Sequence, residues 1–165
     1  MKKIILFNSP IFWNSTEEQE QYISPLGLGY IATYLNINGI SVKIIDCVKE
    51  RMSVSDIIKY INDNKPDYIG INVFTQNYDM VKTIMENVLV DCECFIGGQV
   101  VKCIYHDILD WNISNKLNII IGEGELIIPA LVLGNCTQKP EEEKDRKYVY
   151  RINNDSEYFP KDISN

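Results

Sequence analysis

Residues 53–74 read SVSDIIKYINDNKPDYIGINVF, and the two halves of this stretch follow different periodicities. In the first half Val54, Ile57, Ile58 and Ile61 recur at i, i+3, i+4 and i+7, the spacing of an amphipathic helix. Ser53 with Asp56 three residues on predicts a capping pair at its start. The second half, 68–74, is a short apolar run without alternation, as a strand covered on both faces requires. Working outward, the same change of period repeats. Apolar runs rich in Ile and Val at 3–8, 41–46, 92–96 and 118–121 predict further buried strands. Between them lie the stripes Leu28, Ile31, Ala32, Leu35, then Val81, Ile84, Met85, Val88, then Val101, Ile104, Tyr105, Ile108. Asn38-Gly39 predicts a left-handed exit from the first helix, and a fifth helix over 125–133 places Pro129 near its first turn. This alternation predicts an α/β fold, a doubly wound five-stranded parallel sheet with right-handed crossovers in the flavodoxin-like (Rossmann-like) order 2-1-3-4-5.

Beyond Gly134 the pattern stops. The run KPEEEKDRK at 139–147 carries four charges of each sign and reads as a linker or solvated loop. Residues 148–152 could add a short edge strand, and 153–165 read as an end leading elsewhere. The expected organisation is an α/β domain over 1–134 followed by a charged linker and C-terminal extension over 135–165.

The chain has 165 residues, 45% of them hydrophobic and 24% charged, which is the composition of one globular domain rather than a disordered segment. Its 23 acidic and 16 basic side chains leave a net charge of −7. With no clustered Lys/Arg block, partners of the nucleic-acid or anionic-membrane class are disfavoured, since both need a concentrated positive footprint. The apolar run near the start is shorter than a secretory segment, and nothing approaches the ~20 apolar residues that span a bilayer. The five cysteines are odd in number and form no CxxC pair, as expected of reduced thiols in a cytoplasmic protein.

In an open parallel sheet, ligands bind beyond the carboxyl ends of the strands. The first such loop, 9–25, is unusually long and holds Phe12, Trp13 and Tyr22. After the third strand come Thr75, Gln76 and Asn77, which either meet a ligand or cap the third helix. After the fourth come Gly97, Gly98 and Gln99, and after the fifth Gly122, Glu123, Gly124 and Glu125. Glycines at neighbouring strand ends let a flat or bulky ligand approach the backbone, although each alone is more often a tight turn. Neither G-x-G-x-x-G after the first strand nor a P-loop is present, so a nucleotide-phosphate cradle lacks its required features. A flavin mononucleotide site is disfavoured because the first loop has no phosphate nest. No residue is assigned a catalytic role, and none a metal-ligating one. His106, in the fourth helix, reads as an ordinary surface or half-buried residue. Cys92 and Cys94 point to one face of a strand and read as small core residues, and Glu123 with Glu125 is either an acid/base pair or an acidic helix start.

The run Ser24-Pro25-Leu26-Gly27-Leu28-Gly29-Tyr30-Ile31-Ala32-Thr33-Tyr34-Leu35, followed by Gly39…Val42…Ile44-Ile45-Asp46, resembles the cobalamin (B12)-binding N-terminal domain of B12-dependent radical SAM enzymes. Pro66-Asp67-Tyr68-Ile69-Gly70-Ile71 leading to Thr75, then Phe95-Ile96-Gly97-Gly98, then Ile121-Gly122-Glu123-Gly124-Glu125 follow in that family's order, and the likeness covers about residues 1–134. The resemblance implies cobalamin held flat against the C-terminal edge of the sheet, its nucleotide tail running beside strands three to five. On that reading Thr75, Gln76 and Asn77 meet the corrin or tail, and Gly97, Gly98, Gln99, Gly122, Glu123 and Gly124 line the tail's path. Ser9 and Pro10 at the start of the long loop, with Leu26, Gly27, Leu28 and Gly29, form the wall nearer the first helix. If the tail passes there, Gly98 and Gly122 are expected to tolerate side chains least, and valine at either is expected to cost affinity while leaving the fold largely intact.

The DxHxxG signature of methionine-synthase-type domains is missing, which implies cobalamin bound dimethylbenzimidazole-off and His-off. CxxxCxxC occurs nowhere in the sequence, so no iron–sulfur cluster is expected in this chain. The resemblance therefore implies a module of a radical SAM methyl- or alkyl-transfer system, not catalytic alone, whose partner is a radical SAM catalytic domain in the same or a separate chain. The alternative is a B12-free domain of the same fold that acts as a protein or peptide interaction module.

Overall fold

The computed structural model describes residues 1–11 and 25–152. Its first strand, β1 (Ile4–Asn8), is buried along its whole length. Side chains alternate across a strand, so Ile5 and Phe7 enter one apolar cluster while Ile4 and Leu6 enter the other. The remaining elements follow in strand–helix order: α1 (Leu26–Ile37), β2 (Val42–Asp46), α2 (Val54–Asn64), β3 (Tyr68–Asn72), a 3-10 turn (Thr75–Asn77), α3 (Tyr78–Glu86), β4 (Glu93–Gly97), α4 (Val101–Leu109), β5 (Leu117–Ile121) and α5 (Gly124–Leu133). Two further strands, β6 (Glu142–Lys144) and β7 (Lys147–Arg151), complete the described chain.

The sheet order is β2-β1-β3-β4-β5-β7-β6. The five expected strands are all present, all parallel and in the expected order. Leu28, Ala32 and Leu35 of α1 share one cluster with Ile127, Ile128 and Val132 of α5. On the opposite face Ile57 and Ile61 of α2, Ile84 and Met85 of α3, and Val101 and Ile108 of α4 pack over the same strands. The sheet is therefore wound on both sides, and every crossover brings its loop back to one edge.

The sheet has seven strands rather than five. β7 pairs in parallel with β5 from Leu117↔Lys147 to Ile121↔Arg151, so the stretch expected at the edge lies inside it. The edge is β6, antiparallel to β7, formed within the charged run expected to be a solvated loop. Asp145 and Arg146, with φ of 48° and 62°, make the turn between them, as a tight hairpin demands. All three β6 residues are exposed, so this strand has no apolar periodicity to betray it, and its charges guard the edge against pairing with other chains. A second correction concerns Pro129. It lies inside α5, which begins at Gly124, and therefore falls in the second turn, where its ring faces the Glu125 carbonyl in place of a helical donor.

The start of α2 forms as the sequence predicts. Ser53 Oγ accepts a hydrogen bond from the Asp56 amide at 3.1 Å, and the Ser53 amide donates to Asp56 Oδ2 at 2.9 Å. Ser53 Oγ also donates to Asp56 Oδ2 at 2.7 Å, and this bond, with the one from the Ser53 amide, favours the ionised carboxylate and holds Asp56 below the usual carboxyl range. Ser53→Ala is expected to lower stability by about 1 kcal/mol. Urea unfolding of the two proteins measures this; an unchanged midpoint would mean the cap contributes nothing.

Candidate functional site

Because β1 to β5 and β7 run in parallel, their carboxyl ends and the loops that leave them share one edge of the sheet. The residues expected from the resemblance to meet cobalamin all lie there or in the first turn of α1 or α5 beside it. The edge divides them by exposure. Leu26, Gly27, Thr75, Gln76, Gly98, Gln99, Gly122 and Glu123 are exposed, Gly29 and Gly97 are half-buried, and Ser9, Pro10, Leu28, Asn77 and Gly124 are buried. Phe12, Trp13 and Tyr22 lie outside the described residues.

The β1, β2 and β3 side of the edge is held by side-chain amides. Asn72 Oδ1 accepts from the Ser9 amide at 2.7 Å, and Asn72 Nδ2 donates to Asn8 Oδ1 at 2.8 Å. Asn8 Nδ2 donates in turn to Asp46 Oδ1 at 3.0 Å, which also accepts from the Lys49 amide at 3.1 Å. Asn77 Nδ2 donates to Ser9 Oγ at 2.7 Å and to the Pro10 carbonyl at 2.9 Å, while its Oδ1 accepts from the Phe74 amide at 2.8 Å. Sequence reasoning passed over Asn8, Asn72 and Asp46. The available signal was a polar residue at the end of two apolar strand runs, Asn8 and Asp46, and one interrupting the third, Asn72 within 68–74.

The β4 and β5 side is held by close backbone approach. Gly98 has φ +124°, and a Cβ on it would stand 2.5 Å from the Val73 carbonyl oxygen. Gly122 has φ +106°, and its Cβ would stand 2.8 Å from the Ile152 carbonyl oxygen. Both are therefore required by the protein's own backbone, which corrects the expectation that valine there would spare the fold. Gly97 differs. A Cβ on it would meet only the Ile120 carbonyl at 3.8 Å, and Cβ atoms on Gly27 and Gly29 would meet nothing within 4 Å. The described fold has no steric need for glycine at these three positions.

At the same edge, Phe74 just past β3 is 37% exposed, and Leu26 and Tyr30 of α1 are 67% and 60% exposed. Phe74 closes an apolar run and so reads from sequence as core. Burial raises the Glu125 carboxyl above its ordinary range, with the neighbouring Glu123 adding to the effect. Burial likewise pushes the Cys47 thiol, just past β2, up to about 12, with Asp46 and Glu50 reinforcing it, so it is no nucleophile.

Other candidate groups lie apart from the edge. His106 is on α4 with Nδ1 4.0 Å from Glu142 Oε2. Cys92 and Cys94 are buried where β4 begins, their sulfurs 3.8 Å apart, and this contact together with burial raises the Cys94 thiol far above its normal range. Among the described residues no group of three or more His, Cys, Asp or Glu side chains is gathered to hold a metal ion. A hollow of about 350 Å³ lined by Lys2, Asp67, Cys92, Glu93, Lys116 and Arg146 opens at the opposite edge, where the strands begin, and none of the residues expected to meet cobalamin lines it.

The family model of the B12 binding domain matches residues 16–132. No curated protein matches the chain. Among solved structures, the fold is similar to the radical S-adenosylmethionine methyltransferase TsrM from Kitasatospora setae with cobalamin and a [4Fe-4S] cluster bound, with a TM-score of 0.62 and 18% identity over 83% of this chain and 26% of that one. It is also similar to the cobalamin-dependent S-adenosylmethionine radical enzyme OxsB with aqua-cobalamin bound, with a TM-score of 0.64 and 19% identity over 83% of this chain and 19% of that one. The chain thus spans about a quarter of the length of the first enzyme and about a fifth of the second, and at this identity the likeness is one of fold.

The glycine geometry separates three positions by stability. Gly98→Ala and Gly122→Ala are each expected to lose about 1–3 kcal/mol, while Gly97→Ala stays within about 0.5 kcal/mol of the parent. Urea denaturation of the three variants checks this ranking, and a Gly98→Ala protein as stable as the parent would contradict it.

Proposed function

The chain belongs to the B12 binding domain family, and from that membership we propose that it holds cobalamin against the carboxyl edge of its sheet and presents it to a radical SAM catalytic domain, in this chain or another, for methyl or other alkyl transfer. The observation that carries the reading is that Gly27, Gly29 and Gly97, all at the carboxyl edge, each stand where a Cβ would find room and yet none is present. Within a helix each glycine costs about 1 kcal/mol relative to alanine, so Gly27 and Gly29 weaken α1 without relieving any clash in the described fold. A broad, flat ligand lying close to the backbone supplies the missing reason. The exposed hydroxyl and amides of Thr75, Gln76 and Gln99 suit the amide-fringed rim of a corrin, and Phe74 and Leu26 offer apolar surface to its body.

When bound, cobalamin supplies a cobalt centre able to carry an alkyl group. This chain's residues bind and orient. The single histidine, His106, lies beside Glu142 and not among the strand-end loops, which supports a His-off, dimethylbenzimidazole-off binding mode. Iron–sulfur and S-adenosylmethionine chemistry belongs in this proposal to the catalytic domain. Nucleic acid and membrane are not among the proposed partners, given the net charge of −7 and, among the described residues, no helix long and apolar enough to cross a bilayer. The five free cysteines fit a cytoplasmic location. One observation favours the alternative, a B12-free interaction module: Leu26, Tyr30 and Ile37 form an exposed apolar stripe along α1.

Titration of the purified protein with hydroxocobalamin tests the reading. The expected result is uptake with the spectrum of the dimethylbenzimidazole-off form, and for Gly97→Val an affinity at least about tenfold weaker at nearly unchanged thermal stability. Neither spectral change nor calorimetric heat at high micromolar cobalamin would favour the interaction module.

A further inference from the structure

Asn77 is fully buried, although its neighbours Thr75 and Gln76 are exposed and nothing about a helix start requires burial of an amide. Its bond from the Phe74 amide is local, within the turn that leaves β3. Its other two bonds, to Ser9 Oγ and the Pro10 carbonyl, reach the loop that leaves β1, 68 and 67 residues earlier. Asn72 makes a second tie between the same loops through the Ser9 amide. The backbone ladder between β1 and β3 ends at Phe7↔Ile71, so beyond that pair these side chains join the two loops.

A buried amide is expensive unless its donors and acceptor are matched, and here both donors and the acceptor are engaged. An apolar side chain could fill the same volume, but it could not set the two loops to one spacing. We infer that Asn77 is a positioning residue for the cobalamin site, fixing Ser9 and Pro10 against the loop that presents Phe74, Thr75 and Gln76 before the ligand arrives. The inference rests on the cobalamin reading above and deepens it. Its physical basis is preorganisation: loops already held in the bound geometry lose little freedom on binding.

The test is hydroxocobalamin affinity, read spectroscopically at a temperature where circular dichroism finds every variant folded. Asn77→Asp keeps the acceptor for the Phe74 amide and can accept from the Ser9 hydroxyl, but it loses the donor to the Pro10 carbonyl and sets a carboxylate oxygen against that oxygen. Asn77→Ala removes all three bonds. Both are expected to bind roughly tenfold more weakly or worse. Ile61→Val, a core substitution in α2 away from the edge that also lowers stability, is expected to bind like the parent, because a purely structural loss does not move affinity in folded protein. Asn77 variants that are less stable yet bind like the parent would overturn the inference. Should they fail to fold, Ser9→Ala removes only the Oγ partner, and unchanged affinity there overturns it equally. A folded parent protein that takes up no cobalamin refutes the functional reading itself, a result distinct from a parent that binds and is indifferent to Asn77.

Discussion

Parallel strands cannot be joined by a tight turn, and this constraint organises the whole molecule. Each strand must return through a helix on one face or the other, and both faces of the sheet must then be apolar. β1 meets the demand most fully, with Ile5 and Phe7 under α2 to α4 and Ile4 and Leu6 under α1 and α5. Gly70 in β3 serves the same packing, since a Cβ there would stand 2.6 Å from Leu6 Cδ2. The consequence for function is directional. The carboxyl ends of the six parallel strands, and the loops that leave them, are delivered to the same edge.

At that edge the ladders stop and the backbone must be held by other means. The molecule uses two. Around β1, β2 and β3, the amides of Asn8, Asn72 and Asn77 bridge loops that are distant in the chain. Around β4 and β5, glycines let neighbouring backbones close in, Gly98 on Val73 and Gly122 on Ile152. The second device draws the end of β7 into the site, because the Ile152 amide donates to the Ile121 carbonyl at 2.8 Å just before Gly122. Strand β7, which lies beyond the repeating pattern, thus walls the loop after β5. At the same edge, Gly97 and the glycine-bearing first turn of α1 are positions where space has been left instead of filled.

Much of this was legible in the residues. The changes of period between apolar stripes and apolar runs locate the five strands and five helices, and a five-stranded wound sheet favours the order 2-1-3-4-5 that they take. Ser53 and Asp56 announce their cap because both partners lie within one helical turn. Three features were hidden. β6 has charged residues at every position, so no periodicity marks it. Gly98 and Gly122 look alike to Gly97 in sequence, and only the carbonyls of Val73 and Ile152 tell them apart. Asn77 reads as a polar strand-end residue available to a ligand, whereas its partners Ser9 and Pro10 bury it.

The dividing line follows the range of the interactions. The sequence by itself determined what depends on neighbours a few residues away, namely helix, strand, cap and the alternation that makes a parallel sheet, because hydrophobic period and capping chemistry are local. Which strand-end residues face outward and which brace the edge was decided by the tertiary structure. A side chain's burial and its hydrogen-bond partners depend on segments distant in the chain, as Asn77 depends on Ser9 and Gly122 on Ile152, and those meet only when the sheet has formed.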